Sequence, residues 1–299
     1  MTSRRRVLSI LAGAAVLPIL GSRAVASPQQ WRGIALGAEA RILLDHPNAA
    51  ALIEQSVQEI RRLEGIFSLY HPDSQLSELN RNGELPIPAF EMVELLSICS
   101  AIHARTSGAF DPTVQKLWAL YARSFAAGNS PDPTKISETL AQTGWEHVRY
   151  SPAKVWFDRS GMALTLNGVA QGYIADKIVA LLRRNGIENA LVNTGEIAGI
   201  GVAENSSGWP VWLSDHSSEA LMLNNNAVAT SSPVGTTFDA RETTGHIINP
   251  RTGRPGGEWH SVSVVSDTAA EADGLSTAFC LMKRPEIMNV KGSSQVFLI

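Results

Sequence analysis

From Asn48 onward the apolar residues Ile53, Val57, Ile60 and Phe67 recur at helical spacing, and Asn48 is placed to cap the helix they predict. An apolar stretch before it, Ile34 to Leu44, predicts a strand. A second helix is expected over Ala89 to Arg105, where Met92, Leu95, Leu96, Cys99 and Ile102 share a face, and a third starts at Pro112 with Leu117, Leu120 and Tyr121. The polar run Ala126 to Pro133 breaks the pattern and predicts a loop. Beyond it the periodicity shortens. Val155 to Phe157 and Ala163 to Leu166 predict strands, Val169 to Arg184 a helix closed by Asn185-Gly186, and Ala190 to Asn193 another strand. Val211 to Ser214, Ala220 to Leu223, Ala227 to Thr230, His246 to Ile248 and Ser261 to Val265 follow as strands, and Ala269 to Met282 as a helix. Helices early and strands late predict an α+β fold rather than a regularly alternating parallel sheet.

The first 26 residues stand apart. Three arginines, Arg4 to Arg6, precede an apolar run to Leu20, and Ala24-Val25-Ala26 follows, the pattern of a cleaved export signal. The run is too short to span a bilayer of about 30 Å as a helix. Its Ser-Arg-Arg-x-x-Leu setting resembles a twin-arginine leader, with the ordinary secretory route as the alternative. The expected organisation is therefore a leader, 1–26, followed by one domain, 27–299. The leader carries four arginines and no acidic residue, so its removal changes the net charge from -3 to -7. An acidic chain has no field to draw phosphate backbones, which argues against nucleic-acid binding.

Cys99 and Cys280 lie far apart in the chain, and no His-x-x-x-His pair, Gly-x-Ser-x-Gly elbow or Walker loop occurs. The candidate chemistry lies in five polar segments: Phe67 to Asn80, Gly108 to Thr113, Leu166 to Tyr173, Gly245 to Gly253 and Glu271 to Ala278. Singly, each reads equally as turn or cap chemistry. In the last, Asp273 and Thr277 lie four residues apart and share a helix face. A carboxylate and a hydroxyl there suit Mg²⁺, while the same Asp273 can equally favour the helix N-terminus electrostatically.

Taken in order, Phe-Ser-x-Tyr, Gly-Ala-Phe-Asp-Pro-Thr, Gly-x-Ala-x-Gly-Tyr, His-Ile-Ile-Asn-Pro-x-Thr-Gly and Ala-Asp-x-x-x-Thr-Ala resemble the ApbE family, the FAD:protein FMN transferases of the bacterial periplasm. The resemblance implies mixed and antiparallel sheets packed with helices, and FAD bound in a cleft between two lobes. It implies Mg²⁺-dependent cleavage of FAD, attachment of FMN through a phosphoester to a Thr or Ser hydroxyl of an exported flavoprotein, and release of AMP. By motif, the Gly168 carbonyl, Asp273 and Thr277 would hold Mg²⁺, with Ser276 the candidate for one more donor. Leu36 and Tyr70 would contact the flavin, Ala109, Phe110 and Asp111 would line the FAD site, and Thr165, Gln171 and Ile248 match further FAD positions. His246 matches the general base, so His246 and Asp273 are the catalytic expectations.

Three departures from the family pattern stand out. Thr165-Leu166-Asn167-Gly168 replaces Asp-Leu-Gly-Gly, Gln171 replaces Lys or Glu, and Asn193-Thr194-Gly195-Glu196 replaces an Asn-x-Gly-Gly turn. The leader and the Leu-Asn-Gly-Val-Ala-Gln-Gly-Tyr segment look most like the NosX-like accessory members of nitrous oxide reductase maturation, implying as acceptor a membrane protein of nitrous oxide respiration. The same residues also suit a periplasmic FAD pyrophosphatase or a non-catalytic FAD carrier.

Overall fold

The apolar stretch predicted as one strand is a hairpin in the computed structural model, which describes residues 29–213 and 219–299. The predicted leader lies outside the described residues. The hairpin turns at Leu36-Gly37, with φ of 46° and 77°. Two left-handed residues in succession match the right-handed twist of the paired strands. Leucine is not a usual turn residue, which is why its apolar character hid the reversal.

In chain order, β1 (Gln29–Ala35), β2 (Ala38–Leu44), α1 (Ala49–Phe67), α2 (Gln75–Asn82), β3 (Glu84–Pro86) and α3 (Phe90–Arg105) form the first part. A 3-10 turn at Pro112–Val114 leads into α4 (Gln115–Ala126), followed by α5 (Pro133–Leu140), β4 (Val148–Tyr150), β5 (Lys154–Phe157) and α6 (Ala170–Arg184). Then come β6 (Ala190–Asn193), β7 (Ile197–Ile200), β8 (Trp209–Val211), β9 (Leu221–Leu223), β10 (Ala227–Ser231), β11 (Val262–Ser266), α7 (Ala269–Phe279), α8 (Arg284–Val290) and β12 (Gln295–Leu298). The main sheet runs β1-β2-β6-β7-β10-β11-β12, with every neighbouring pair antiparallel. Alternation sorts its residues. Ile42, Leu44, Val192, Ala229 and Val264 face a core shared with Ile174, Ile178, Leu275 and Phe279 of α6 and α7. Leu43, Leu191, Ile197, Val228 and Val265 face the other way, onto Val211 and Leu223 of the β8–β9 pair. The α+β expectation holds, as do the helices over 49–67, 89–105 and 170–184. Both cysteines are buried and unpaired.

The strand predicted over Val211 to Ser214 runs instead over Trp209–Val211, Ser214 lying outside the described residues, and two further predicted strands are not strands. His246 to Ile248 makes only isolated bridges, Thr237 with Gly245 and Ile248 with Pro255. Ala163 to Leu166 is extended, but its backbone is satisfied by non-sheet partners. Asn80 of α2 spans Leu164, accepting from its N–H at 2.7 Å and donating to its carbonyl at 2.8 Å, and the Thr165 N–H donates to the Pro112 carbonyl. The segment carrying Thr165 and Gly168 is thus fixed by a helix side chain. Leu164 is fully buried, so Asn80→Ala strands a donor and an acceptor. The expected loss is about 3 kcal/mol. It should appear as a lower urea midpoint at unchanged m value; a shift worth under about 1 kcal/mol would show that water replaces the amide.

Candidate functional site

Gly172 allows α6 and α7 to cross at backbone contact. A Cβ at that position would lie 2.2 Å from the Ala269 carbonyl oxygen. One turn on, the Asp176 carboxylate accepts from the Ala269 and Ala270 N–H groups at 2.8 and 2.9 Å, satisfying donors that the start of α7 would otherwise leave open. Burial pushes the Asp176 carboxyl up to about 6, against those two hydrogen bonds. The Gly172 N–H in turn donates to Asp273 Oδ2 at 3.2 Å. Asp273 is 3% exposed, and burial, with the neighbouring Asp176 adding to it, pushes its carboxyl up to about 7.

Thr277, one turn beyond Asp273, faces Gly168 so closely that a Cβ on the glycine would be 2.9 Å from Thr277 Oγ1. Ser231, at the end of β10, hydrogen bonds with Ser276 Oγ at 2.7 Å and Thr277 Oγ1 at 3.3 Å. Gly168, Asp273 and Thr277 are therefore gathered at one crossing, with Ser276 beside them. Ser231 was not anticipated; its only signal is a strand ending in Thr230-Ser231-Ser232. Among the described residues there is no cluster of three or more His, Cys, Asp or Glu able to hold a metal. Beside the Asp176 carboxylate, which the α7 N–H groups occupy, the crossing offers the Asp273 carboxylate amid hydroxyl and carbonyl oxygens.

Gln171 joins the crossing from the first turn of α6. Its carbonyl accepts from Thr194 Oγ1 at 2.8 Å, and its amide lies over Gly195, where a Cβ would be 2.6 Å from Cδ. Gly195 has φ of +109°, so the backbone requires glycine there. Next to it, Glu196 is buried and accepts from the Thr230 N–H at 3.3 Å, which brings a second carboxylate to the residue preceding Ser231.

The Ala109–Asp111 turn follows two left-handed residues, Ser107 and Gly108. Its Phe110 carbonyl accepts from His103 Nδ1 at 2.9 Å, and its Phe110 N–H donates to Thr106 Oγ1 at 3.2 Å. Ala109 and Phe110 are buried. Asp111 accepts from Thr113 N–H, Thr113 Oγ1 and Trp145 N–H; burial raises its carboxyl, opposed chiefly by the Thr113 donors. Thr165 reaches this turn through Pro112 and accepts from the Asn167 N–H at 3.3 Å. Arg251 donates to the Ser107 carbonyl at 2.8 Å, closing the 249–253 turn against it. Between them lies a cleft of about 220 Å³ lined by Thr106, Ser107, Ala109, Asn249, Arg251 and Met282, among others. Ile248 is 3% exposed, its side chain enclosed with Leu117, Tyr121 and Ile136.

Leu36 and Tyr70 lie at the far end of α1. The Leu36 N–H donates to Glu64 in the last turn of that helix, and Tyr70, three residues past its end, is 69% exposed. Both are thus held on α1 and its C-terminal end rather than at the α6–α7 crossing. His246 is half-buried; its N–H donates to the Pro233 carbonyl at 3.1 Å and its Nδ1 donates to the Thr236 carbonyl at 3.0 Å. Pro233 is two residues beyond Ser231, so the loop that carries His246 starts where the hydroxyl cluster ends.

Residues 36–296 match the model of the ApbE family. The chain is 27% identical to the FAD:protein FMN transferase of Salmonella typhimurium, over 90% of this chain and 81% of that one. It is 27% identical to the protein of the same name from Treponema pallidum, over 86% and 80%. Among solved structures, the ApbE protein of Thermotoga maritima superposes with a TM-score of 0.81 at 26% identity, covering 91% of this chain and 94% of that one. The Pseudomonas stutzeri flavinyl transferase ApbE in its apo form superposes with a TM-score of 0.79 at 23% identity, covering 91% and 90%.

Proposed function

Because the chain belongs to the ApbE family, we propose that it is an FAD:protein FMN transferase, moving FMN from FAD onto a Thr or Ser hydroxyl of an exported flavoprotein and releasing AMP. The observation that carries this reading is the convergence of Gly168, Asp273 and Thr277 at the α6–α7 crossing, beside the start of the His246 loop. A buried carboxyl with a single backbone donor, set among hydroxyl oxygens, is a donor set that fits a hard divalent cation retaining some waters. The Gly168 carbonyl, Asp273 and Thr277 would hold Mg²⁺. When bound, it would neutralise charge developing on the pyrophosphate oxygens.

The chain's own residues do the rest. With Nδ1 donating to the Thr236 carbonyl, His246 holds its proton on that nitrogen and is basic at Nε2. It takes the proton of the acceptor hydroxyl; the hydroxyl oxygen bonds to the phosphorus on the FMN side, the bond from that phosphorus to the bridging oxygen breaks, and AMP departs. Leu36 and Tyr70 would flank the flavin, and Ala109, Phe110, Asp111, Thr165 and Gln171 would line the remainder of the FAD cleft, with Ile248, whose side chain is enclosed, able to contribute only its backbone. The leader supports export to the periplasm by the twin-arginine route, and the segment around Gln171 supports a membrane flavoprotein of nitrous oxide respiration as the acceptor.

Incubating the mature protein with FAD, Mg²⁺ and an acceptor domain, and measuring acceptor mass and AMP, tests the reading. An FMN-sized mass gain is expected. AMP with free FMN alone would mark a pyrophosphatase, and no turnover would mark a carrier. His246→Ala should slow transfer by roughly 10²-fold or more, with FAD binding by fluorescence titration unchanged; transfer at the wild-type rate would remove His246 from the reaction.

A further inference from the structure

The loop from Pro233 to His246 is closed on itself. Gly245 pairs with Thr237 as an isolated antiparallel bridge, and a Cβ at Gly245 would lie 1.9 Å from the Pro233 carbonyl oxygen. The Phe238 N–H donates to the Thr244 carbonyl at 2.9 Å. Asp239 ties the tip together, accepting from the Thr243 N–H, the Thr243 hydroxyl and the Thr244 N–H at 3.0, 2.6 and 2.8 Å. These bonds make the loop a stiff unit, and His246 is tied to it at both its backbone and its ring.

Stiffness within the loop does not fix its direction relative to the α6–α7 crossing. Phe238 does. Its ring stacks on Tyr121 at 5.6 Å and on Phe125 at 6.3 Å, and meets Trp118 edge-on at 5.4 Å. All three belong to α4, whose 3-10 lead-in follows Asp111. Three aromatic contacts on one side chain, two stacked and one edge-on, make a directional anchor.

We propose that Phe238 is a positioning residue for FMN transfer: by docking into the aromatic face of α4 it fixes the 233–246 loop and so aims the His246 ring at the acceptor hydroxyl. This rests on His246 being the base. A reacting group displaced by about 1 Å can cost as much as 10²-fold in rate.

The test compares the mature wild-type protein with Phe238→Ala, Phe238→Leu and Phe238→Tyr, assayed with FAD, Mg²⁺ and the acceptor domain. Phe238→Ala is expected to lower kcat for transfer by about 10- to 100-fold, with KM for FAD within about twofold. The His246 Nδ1–H signal should persist, because its partner Thr236 belongs to the same stiff loop, so that the loss is one of aim. Phe238→Tyr, which keeps the ring, should restore most of kcat. If Phe238→Ala does not fold, Phe238→Leu decides, since it keeps apolar volume but lacks ring stacking. In the folded variant that decides, a kcat within twofold of wild type overturns the proposal, and so does a fall in kcat accompanied by loss of the Nδ1–H signal, which would mean that the loop itself has come apart. His246→Ala in the same assay separates the two readings. If it transfers at the wild-type rate, the assignment of the base falls. An inactive His246→Ala beside a fully active Phe238→Ala overturns the anchor alone.

Discussion

Asp273→Asn is expected to lower FMN transfer by about 10³-fold and to abolish any rise in melting temperature on adding Mg²⁺. The rate follows from removing the one carboxylate among the proposed metal donors, because charge neutralisation by a bound cation is worth several kcal/mol and each 1.36 kcal/mol is tenfold. The thermal effect follows from mass action: a cation at 100 times its Kd stabilises the folded wild type by about 2.7 kcal/mol. Without metal, Asp273 also makes stability depend on pH. Its folded carboxyl lies at about 7 instead of 3.8 because burial disfavours the charge. The native state therefore holds the proton more tightly than the unfolded chain. That contribution is fully present below about pH 4 and is lost as pH rises towards 7, a change of order 4 kcal/mol. Asparagine keeps a carbonyl oxygen for the Gly172 N–H but does not titrate, so over that window the variant should weaken less than the metal-free wild type, keeping only the part that the raised Asp176 carboxyl contributes. Mg²⁺ should protect the wild type more at pH 8 than at pH 5. An Asn variant that Mg²⁺ still stabilises, or that transfers at the wild-type rate, would place the cation elsewhere.

Much of this site could be read before the fold was known, and the division has a physical basis. Asp273 and Thr277 share a helix face through their spacing alone, and α6, one of the two helices that position them, announces itself by apolar periodicity, whereas α7 is buried on nearly every side and carries no such stripe. Helix α2 does not announce itself, because only Leu76 and Leu79 of its eight residues are buried, on a polar background that starts at the Ser74 cap. Extended apolar segments misled in the opposite direction. Ala163 to Leu166 and His246 to Ile248 carry strand composition, yet whether such a segment pairs depends on what lies beside it, and there an asparagine side chain and isolated bridges take the place of a neighbouring strand. Ser231 and Glu196 were invisible for the same reason. They meet the crossing only because β10 pairs with β7, setting Val228 opposite Ile197, and that register is a property of the assembled sheet. Phe238 is further still from legibility, since its partners on α4 lie more than a hundred residues away in the chain.

Gly172→Ala should be among the most damaging single methyls in the protein's site. The added carbon would sit 2.2, 2.5 and 2.7 Å from the Ala269 oxygen, the Ala269 carbon and the Ala270 nitrogen, all of them backbone atoms of α7. No side-chain rotation relieves such a contact, so the helices must separate. Separation strains the Asp176 hydrogen bonds to Ala269 and Ala270 and draws Asp273 away from the Gly172 N–H. Overpacking of this kind costs at least about 3 kcal/mol, a fall in melting temperature of roughly 6 to 12 °C for a chain of this size. Transfer should fall with it, in protein that is still folded at the assay temperature, because Gly168 and Thr277 face each other across the same crossing. Gly65→Ala supplies the contrast. That glycine is exposed within α1 and a Cβ there would meet nothing within 4 Å. Alanine should stabilise it by about 0.5 to 1 kcal/mol through helix propensity and leave transfer unchanged. Calorimetry and the transfer assay on both variants decide the matter: equal melting temperatures would mean that the two helices are not in backbone contact at Gly172, and the placement of Asp273 would have to be sought in some other constraint.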